Sequence, residues 1–205
     1  MFTGIVTEVG TVEDNVGTDD GARRVTIQAP STTKDLAVGD SVAVAGVCLT
    51  ATAVVGDRFT VDVVPESLAR TALGALASGT RVNLERPVPT GGRFDGHVVQ
   101  GHIDGVGTVA EMRRDGDAVV IRIDLPGTLG PYLVEKGSVA VDGVSLTVTA
   151  VDPRPEPAGR SWFEIALIPH TLAVTTFGER RAGDAVNVEV DIIAKYVERW
   201  METRT

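Results

Sequence analysis

SVAVAGVCLTATAV, Ser41 to Val54, returns as SVAVDGVSLTVTAV, Ser138 to Val151, with eleven of fourteen positions identical at an offset of 97. A repeat this close marks an internal duplication, so whatever one half forms the other must form as well. At the same offset Gly4 meets Gly101, and Val9-Gly10-Thr11-Val12 meets Val106-Gly107-Thr108-Val109. Beyond the central stretch the offset grows to 104: Pro65, Leu68 and Thr71 meet Pro169, Leu172 and Thr175, and Val82, Asn83 and Glu85 meet Val186, Asn187 and Glu189. The extra residues fall near DPRPEPAGR, 152–160, which reads as a longer surface hairpin where insertion costs little. Of the three differences inside the repeat, Ala45 against Asp142 and Ala51 against Val148 carry no evident chemical meaning. The third sets Cys48 opposite Ser145, two side chains of nucleophile type.

Two units of this size in 205 residues suit two small domains, each long enough to close its own core. RVTIQAP, SVAVAGV, RFTVDVV and RVNLERP are short Val- and Thr-rich runs bounded by Gly, Asp or Pro, as antiparallel strands are. About six such strands per unit fit a closed barrel, because closure removes exposed edges. The expected fold is therefore all-β: two tandem Greek-key-like closed β-barrels, each with short helical turns begun at Pro65 and Pro169, plus a C-terminal α-helix. RPVPTGGRFDG, 86–96, breaks every periodicity and marks the boundary, giving units 1–96 and 97–191 and a terminal segment 192–205. There Ile192, Tyr196 and Trp200, with Ile193, Val197 and Met201, form adjacent i, i+4 ridges on one helix face. This stripe has no counterpart in the duplicated core and reads as an oligomer contact, the alternative being a helix packed on its own barrel.

A formal charge of −9 argues against a phosphate-backbone partner, since nucleic-acid binding is driven largely by Lys and Arg. One cysteine makes no internal disulfide, MFTGIVTEVG lacks the pattern of a signal peptide, and Val42 to Val55 is too short to span a bilayer as a helix. The expectation is a cytoplasmic protein with no membrane role.

Cys48 and Thr50 share one strand face, as do Ser145 and Thr147; recurrence of a polar pair in an apolar strand points to a ligand as the hydrogen-bonding partner. A small buried Cys and backbone-satisfied hydroxyls are the alternative. His97 and His102, in GHVVQGHID, are five apart on an expected strand, so they face opposite sides and hold no metal together. His102, on the face of Gln100 and Asp104, is a candidate proton carrier. Asp191 is a carboxylate present in one half only, either a charge partner or a cap for the helix begun at Ile192. Lys136 stands where the first half has Gly39.

MFTGIV, GVCLT with its echo GVSLTV, GGRFDGHVVQGHIDG and IPHTLAVTT closely resemble the riboflavin synthase family over nearly the whole chain. The resemblance implies a homotrimer joined by the C-terminal helix and leaves association with lumazine synthase open. It implies dismutation of two 6,7-dimethyl-8-ribityllumazine molecules to riboflavin and 5-amino-6-(ribitylamino)uracil without a cofactor or metal, at sites formed between neighbouring subunits. A non-catalytic lumazine- or flavin-binding protein of antenna type is the alternative. Carried over by position, one pocket uses Gly4, Ile5 and Val6 with Cys48, Leu49 and Thr50 and with Asp62, Val63, Val64, Pro65, Glu66 and Ser67. The other uses Gly101, His102 and Ile103 with Lys136, with Ser145, Leu146 and Thr147, and with Ala166, Leu167, Ile168, Pro169, His170 and Thr171. Catalytic expectations fall on His102 with Thr147 for proton transfer, and on Cys48, Ser145 and Asp191, with Phe2 as a packing partner.

Overall fold

Alternation along β4 (Val47–Val55) shows how the sequence builds the fold: Val47, Leu49 and Ala51 are buried, while Cys48 and Thr50 between them are not. The period of two sends one set inward and the other to the outer wall. The computed structural model describes residues 1–155 and 158–204. In the first half β1 (Glu8–Gly17), β2 (Arg23–Gln28), β3 (Ser41–Val44), β4, β5 (Arg58–Val63) and β6 (Arg81–Glu85) close a barrel in the order β1-β2-β5-β4-β3-β6. In the second half β7 (Gly105–Asp115), β8 (Ala118–Pro126), β9 (Ser138–Val141), β10 (Val144–Val151), β11 (Arg160–Leu167) and β12 (Ala185–Val190) repeat it as β7-β8-β11-β10-β9-β12. Even the irregularities recur. Register shifts fall between Val12 and Asp14 and between Val109 and Glu111, and again between Ala51 and Ala53 and between Val148 and Ala150. Such bulges bend strands at barrel corners.

Each barrel has its own core, with Ile27, Phe59 and Leu84 in the first and Ile123, Phe163 and Phe177 in the second. The expected helical turns are α1 (Pro65–Arg70) and α2 (Pro169–Val174). They stop at Thr71 and Thr175, whose hydroxyls accept from the amides of Leu73 and Phe177 and so start the 3-10 turn that follows. Of the expected 152–160 hairpin, residues 156 and 157 lie outside the described residues, as does Thr205 of the terminal segment.

The central repeat is not one strand but a hairpin. Ala45-Gly46 and Asp142-Gly143 are its two-residue turns, all four residues at positive φ as such a turn requires. The two turns meet on a pseudo-two-fold axis: a Cβ on Gly46 would lie 2.6 Å from the Gly143 amide nitrogen, so only glycine allows the approach. Two buried amides lock the contact reciprocally. Asn83 Nδ2 donates to the Asp142 carbonyl (3.0 Å) and its Oδ1 accepts from the Thr176 amide (2.8 Å). Asn187 Nδ2 donates to the Ala45 carbonyl (2.8 Å) and its Oδ1 accepts from the Ala72 amide (2.7 Å). Phe2, Ala43, Val99 and Ala140 complete the seam as a small shared core.

Asp142 therefore does carry meaning. Its fully buried carboxylate pairs with Arg180 (2.6 Å) and accepts from the Asn187 amide (2.9 Å), and burial pushes its pKa up against the pull of Arg180. The first half has Ala45 and Leu76 at the matching positions, an apolar solution to the same contact. Beyond β12, α3 (Ile192–Glu202) is capped by Asp191, whose Oδ1 accepts from the Ile193 amide (2.9 Å). Lys195 to Asp104 (2.6 Å) and Tyr132 to Glu198 fasten the helix to the second barrel, leaving Tyr196 70% and Trp200 56% exposed.

Asp142→Ala is expected to lower unfolding free energy by about 3 kcal/mol, because it leaves the partly buried Arg180 and the buried Asn187 amide without their acceptor. Asp142→Ala with Arg180→Leu, copying the first half, is expected to recover most of that loss, as read by chemical denaturation.

Candidate active site

The polar faces of β4 and β10 lie outside the barrels, so each site forms on a wall rather than in a lumen: Cys48 and Thr50 on one, Ser145 and Thr147 on the other. Each wall is covered by an arm from the opposite barrel. The Cys48 amide donates to the Gly101 carbonyl (2.9 Å), and the Ser145 amide donates to the Gly4 carbonyl (2.8 Å). A Cβ on Gly101 would fall 2.6 Å from the Cys48 Cβ, and one on Gly4 equally close to the Ser145 Cβ. Both glycines also hold positive φ, so no other residue fits this approach. Ile103 then packs on the first core and Val6 on the second.

The pockets are thus grouped differently from the sequence expectation. Gly4, Ile5 and Val6 stand with Ser145, not with Cys48; Gly101, His102 and Ile103 stand with Cys48, not with Ser145. The offset of 97 equates Gly4 with Gly101, yet equivalence does not say which barrel each touches. GHVVQGHID is likewise no strand. It is an extended crossing segment with a single bridge, Val99 to Phe2, and β7 begins only at Gly105. The facing rule used for His97 and His102 therefore does not apply, and His102 belongs to the Cys48 wall, away from the Thr147 pairing.

His97 was passed over and is the side chain that meets Ser145: its Nδ1 lies 2.7 Å from the Ser145 Oγ. Burial lowers the His97 pKa from the ordinary histidine value, and the negative charge of Asp191 opposes that shift. A neutral imidazole against a serine hydroxyl, with a carboxylate in electrostatic range, is an arrangement suited to moving a proton. Asp191 has two roles at once, helix cap and charge near His97.

Other expected residues lie on the strands beside these walls and in the turns after them. β5 and β11 run beside β4 and β10, with Ala51 opposite Val61 and Val148 opposite Ile165. The ends of these strands, Asp62–Val63 and Ala166–Leu167, lead through Val64 and Ile168 into the turns that hold Pro65, Glu66 and Ser67 and Pro169, His170 and Thr171. Val63 and Leu167 face the cores and offer a ligand only backbone; Leu49 and Leu146 pack inward against the same cores. Asp62 is held by Arg24 (2.8 Å). Lys136 occupies the left-handed region at φ 66 where the first half uses Gly39 at φ 95, and its amide donates to Val148. A lysine in that conformation is strained where glycine is not. Among the described residues no three His, Cys, Asp or Glu side chains converge on a point.

The lumazine binding domain family matches residues 3–87 and 100–191, once for each barrel with its arm. Riboflavin synthase of Mycobacterium tuberculosis (strain ATCC 25618 / H37Rv) is 48% identical over 99% of both chains. The chain belongs to the riboflavin synthase family. The Schizosaccharomyces pombe member is 44% identical over 98% of this chain and 94% of its own. A crystal structure of LumP complexed with 6,7-dimethyl-8-(1'-D-ribityl) lumazine matches with TM-score 0.80 at 25% identity, covering 93% of this chain and 99% of that one. Within this riboflavin synthase fold the two walls are alike in backbone and unlike in chemistry, a thiol on one and a serine–imidazole pair on the other.

His97→Gln is expected to lower turnover about a hundredfold, the scale of a lost proton-transfer group. With His97 intact, activity that needs the neutral imidazole should persist below the ordinary histidine range and fall only as pH drops through its lowered pKa. A pH–rate profile with an unchanged acidic limb in His97→Gln would exclude His97 as the titrating group.

Proposed function

We infer that the chain is a riboflavin synthase. It converts two molecules of 6,7-dimethyl-8-ribityllumazine into riboflavin and 5-amino-6-(ribitylamino)uracil, moving a four-carbon unit from one to the other. All atoms of the two substrates appear in the two products, so no oxidant or reductant is consumed. The observation that carries this reading is the pair of equivalent walls with different reactive side chains, in a chain matching riboflavin synthases end to end. A reaction that uses one substrate twice in different roles needs two similar sites with different chemistry.

In this reading the C7 methyl of one lumazine loses a proton and its carbon adds to the second lumazine at C7. Ser145 and His97 are assigned to the proton: with Nε2 protonated, His97 Nδ1 accepts from the Ser145 hydroxyl, and the pair relays charge toward Asp191. Thr147 and Lys136 hold the ligand on that wall. Cys48, Thr50 and His102 line the other, where the thiol or a water it orients stands opposite the electrophilic carbon. The backbone of the arms, Gly4 to Val6 and Gly101 to Ile103, offers N–H and C=O groups for a pyrimidinedione edge, and Ser67 and Thr171 suit a ribityl chain. Holding two heterocycles in register removes much of the entropy cost of a bimolecular step.

The walls belong to one chain, and the reading is completed by a homotrimer in which the second barrel of one subunit faces the first barrel of the next. The exposed apolar face of α3 supports this: Ile193, Tyr196, Val197, Trp200 and Met201 are each at least half exposed in the single chain. The cytoplasm is the compartment proposed for it.

Incubation with the lumazine alone should yield one riboflavin for every two lumazines consumed, followed by absorbance; tight binding without turnover would replace the synthase by a binding protein. Trp200→Glu is expected to break the trimer to 21.5 kDa chains in ultracentrifugation and to lower turnover about a hundredfold or more.

A further inference from the structure

Glu85 and Glu189 close the last strand of each barrel and are equivalent at the offset of 104. Carboxylates are rarely buried without compensation, yet these side chains are 5% and 2% exposed. Among the described residues neither has a cation at ion-pair distance. Each is instead satisfied by the root of an arm. Glu85 accepts from the Thr3 amide (2.7 Å), the Thr3 hydroxyl (2.8 Å) and the Gly4 amide (2.9 Å). Glu189 accepts from the amides of Gln100 (2.7 Å), Gly101 (2.9 Å) and His102 (3.0 Å).

We propose that Glu85 and Glu189 are crossed positioning residues: each fixes, by its carboxylate, the arm its own barrel lends to the pocket of the other. Glu189, in the second barrel, sets the wall over Cys48; Glu85, in the first, sets the wall over Ser145. The pocket contents rest on the synthase reading, whereas the crossing rests on the geometry alone.

The physical reason lies in the arms themselves. Successive N–H groups around a positive-φ glycine point the same way and form a concave cluster of donors, which a carboxylate satisfies in one step. With its amides turned inward to the glutamate, the Gly101 carbonyl is directed at the Cys48 amide and the His102 side chain is left exposed on the outer face. Loss of the carboxylate leaves three inward amides short of an acceptor, and the arm then has reason to move away from the wall. The arm over Cys48 is held at its far end as well. Asp104 accepts from the Val190 amide (2.9 Å) and pairs with Lys195 of α3 (2.6 Å), and its own amide donates to Val188. The matching end of the other arm is Thr7, which donates through amide and hydroxyl to Leu84 and, among the described residues, makes no ion pair to a helix. The helix that carries the exposed apolar face is thus tied by a side-chain ion pair to the arm over Cys48.

Cys48 is the only cysteine and half-buried, so it reports on one pocket alone. The test is its alkylation by iodoacetamide in the full-length protein, with and without riboflavin, in Glu189→Gln and Glu85→Gln. Glutamine keeps the shape and one acceptor oxygen but offers N–H₂ where the other oxygen stood. Glu189→Gln is expected to speed alkylation, and to raise the riboflavin concentration that protects by half, each about tenfold. Glu85→Gln should leave both within about twofold while lowering turnover, because its arm lies over Ser145. Equal shifts in the two variants, or an unshifted Glu189→Gln, would overturn the crossing. If Glu189→Gln fails to fold by circular dichroism, Asp104→Asn loosens the same arm from its outer end and should raise alkylation about threefold; no change there overturns the proposal as well. Failure of riboflavin to protect Cys48 in the unsubstituted protein would count against the synthase reading, while the contrast in unprotected alkylation would still decide the crossing.

Discussion

The close approach of Gly46 to Gly143 is the constraint on which the rest of the molecule depends. With no Cβ on either side, two hairpin turns meet backbone to backbone, and the two barrels come near enough for Asn83 and Asn187 to reach across. Each amide satisfies a carbonyl and an N–H of the opposite barrel, groups that would cost free energy if buried unpaired. That spacing also brings Phe2 against Val99 and lets the arms reach the opposing walls. Separated by another ångström or two, Gly4 would lose Ser145 and Gly101 would lose Cys48.

Duplication explains the symmetry of the scaffold, and divergence within it explains the chemistry. Strand order, bulges, the Thr caps after α1 and α2, and the buried glutamates are kept in both halves, since each solves a backbone problem that both barrels share. The differences cluster at the seam and the walls. Asp142 and Arg180 replace an apolar pair, Ser145 with His97 replaces a lone thiol, and Lys136 takes a glycine position. A dismutation that assigns different roles to two copies of one molecule requires this kind of inequality, and a symmetric scaffold lets it arise without disturbing how either copy is held.

Much of the fold was legible because it is written in local periodicities. Alternation along Val47 to Ala51 gave the strand and its faces, Pro65 and Pro169 gave the helical turns, and the 192–202 stripe gave the helix with its exposed ridge. The polar pairs on β4 and β10 were legible for the same reason, since two residues two apart on a strand share a side whatever the tertiary structure. The reading failed at GHVVQGHID, which was expected to be a strand. The segment's bonds go to other parts of the fold, Phe2, Glu189 and Cys48, and no pattern inside nine residues records partners that distant. Asp142 was missed similarly, because a buried ion pair looks on paper like a turn aspartate.

By itself, then, the sequence determined that the chain is doubled, that each copy is a β-barrel, and which polar side chains share a strand face, because repeats and side-chain alternation are properties of neighbours along the chain. Only the tertiary structure decided that each barrel walls the other's pocket, that His97 rather than His102 meets Ser145, and that two glutamates hold the arms in place. Those are contacts between residues about fifty to ninety positions apart, set by how closely two glycine turns let the barrels approach.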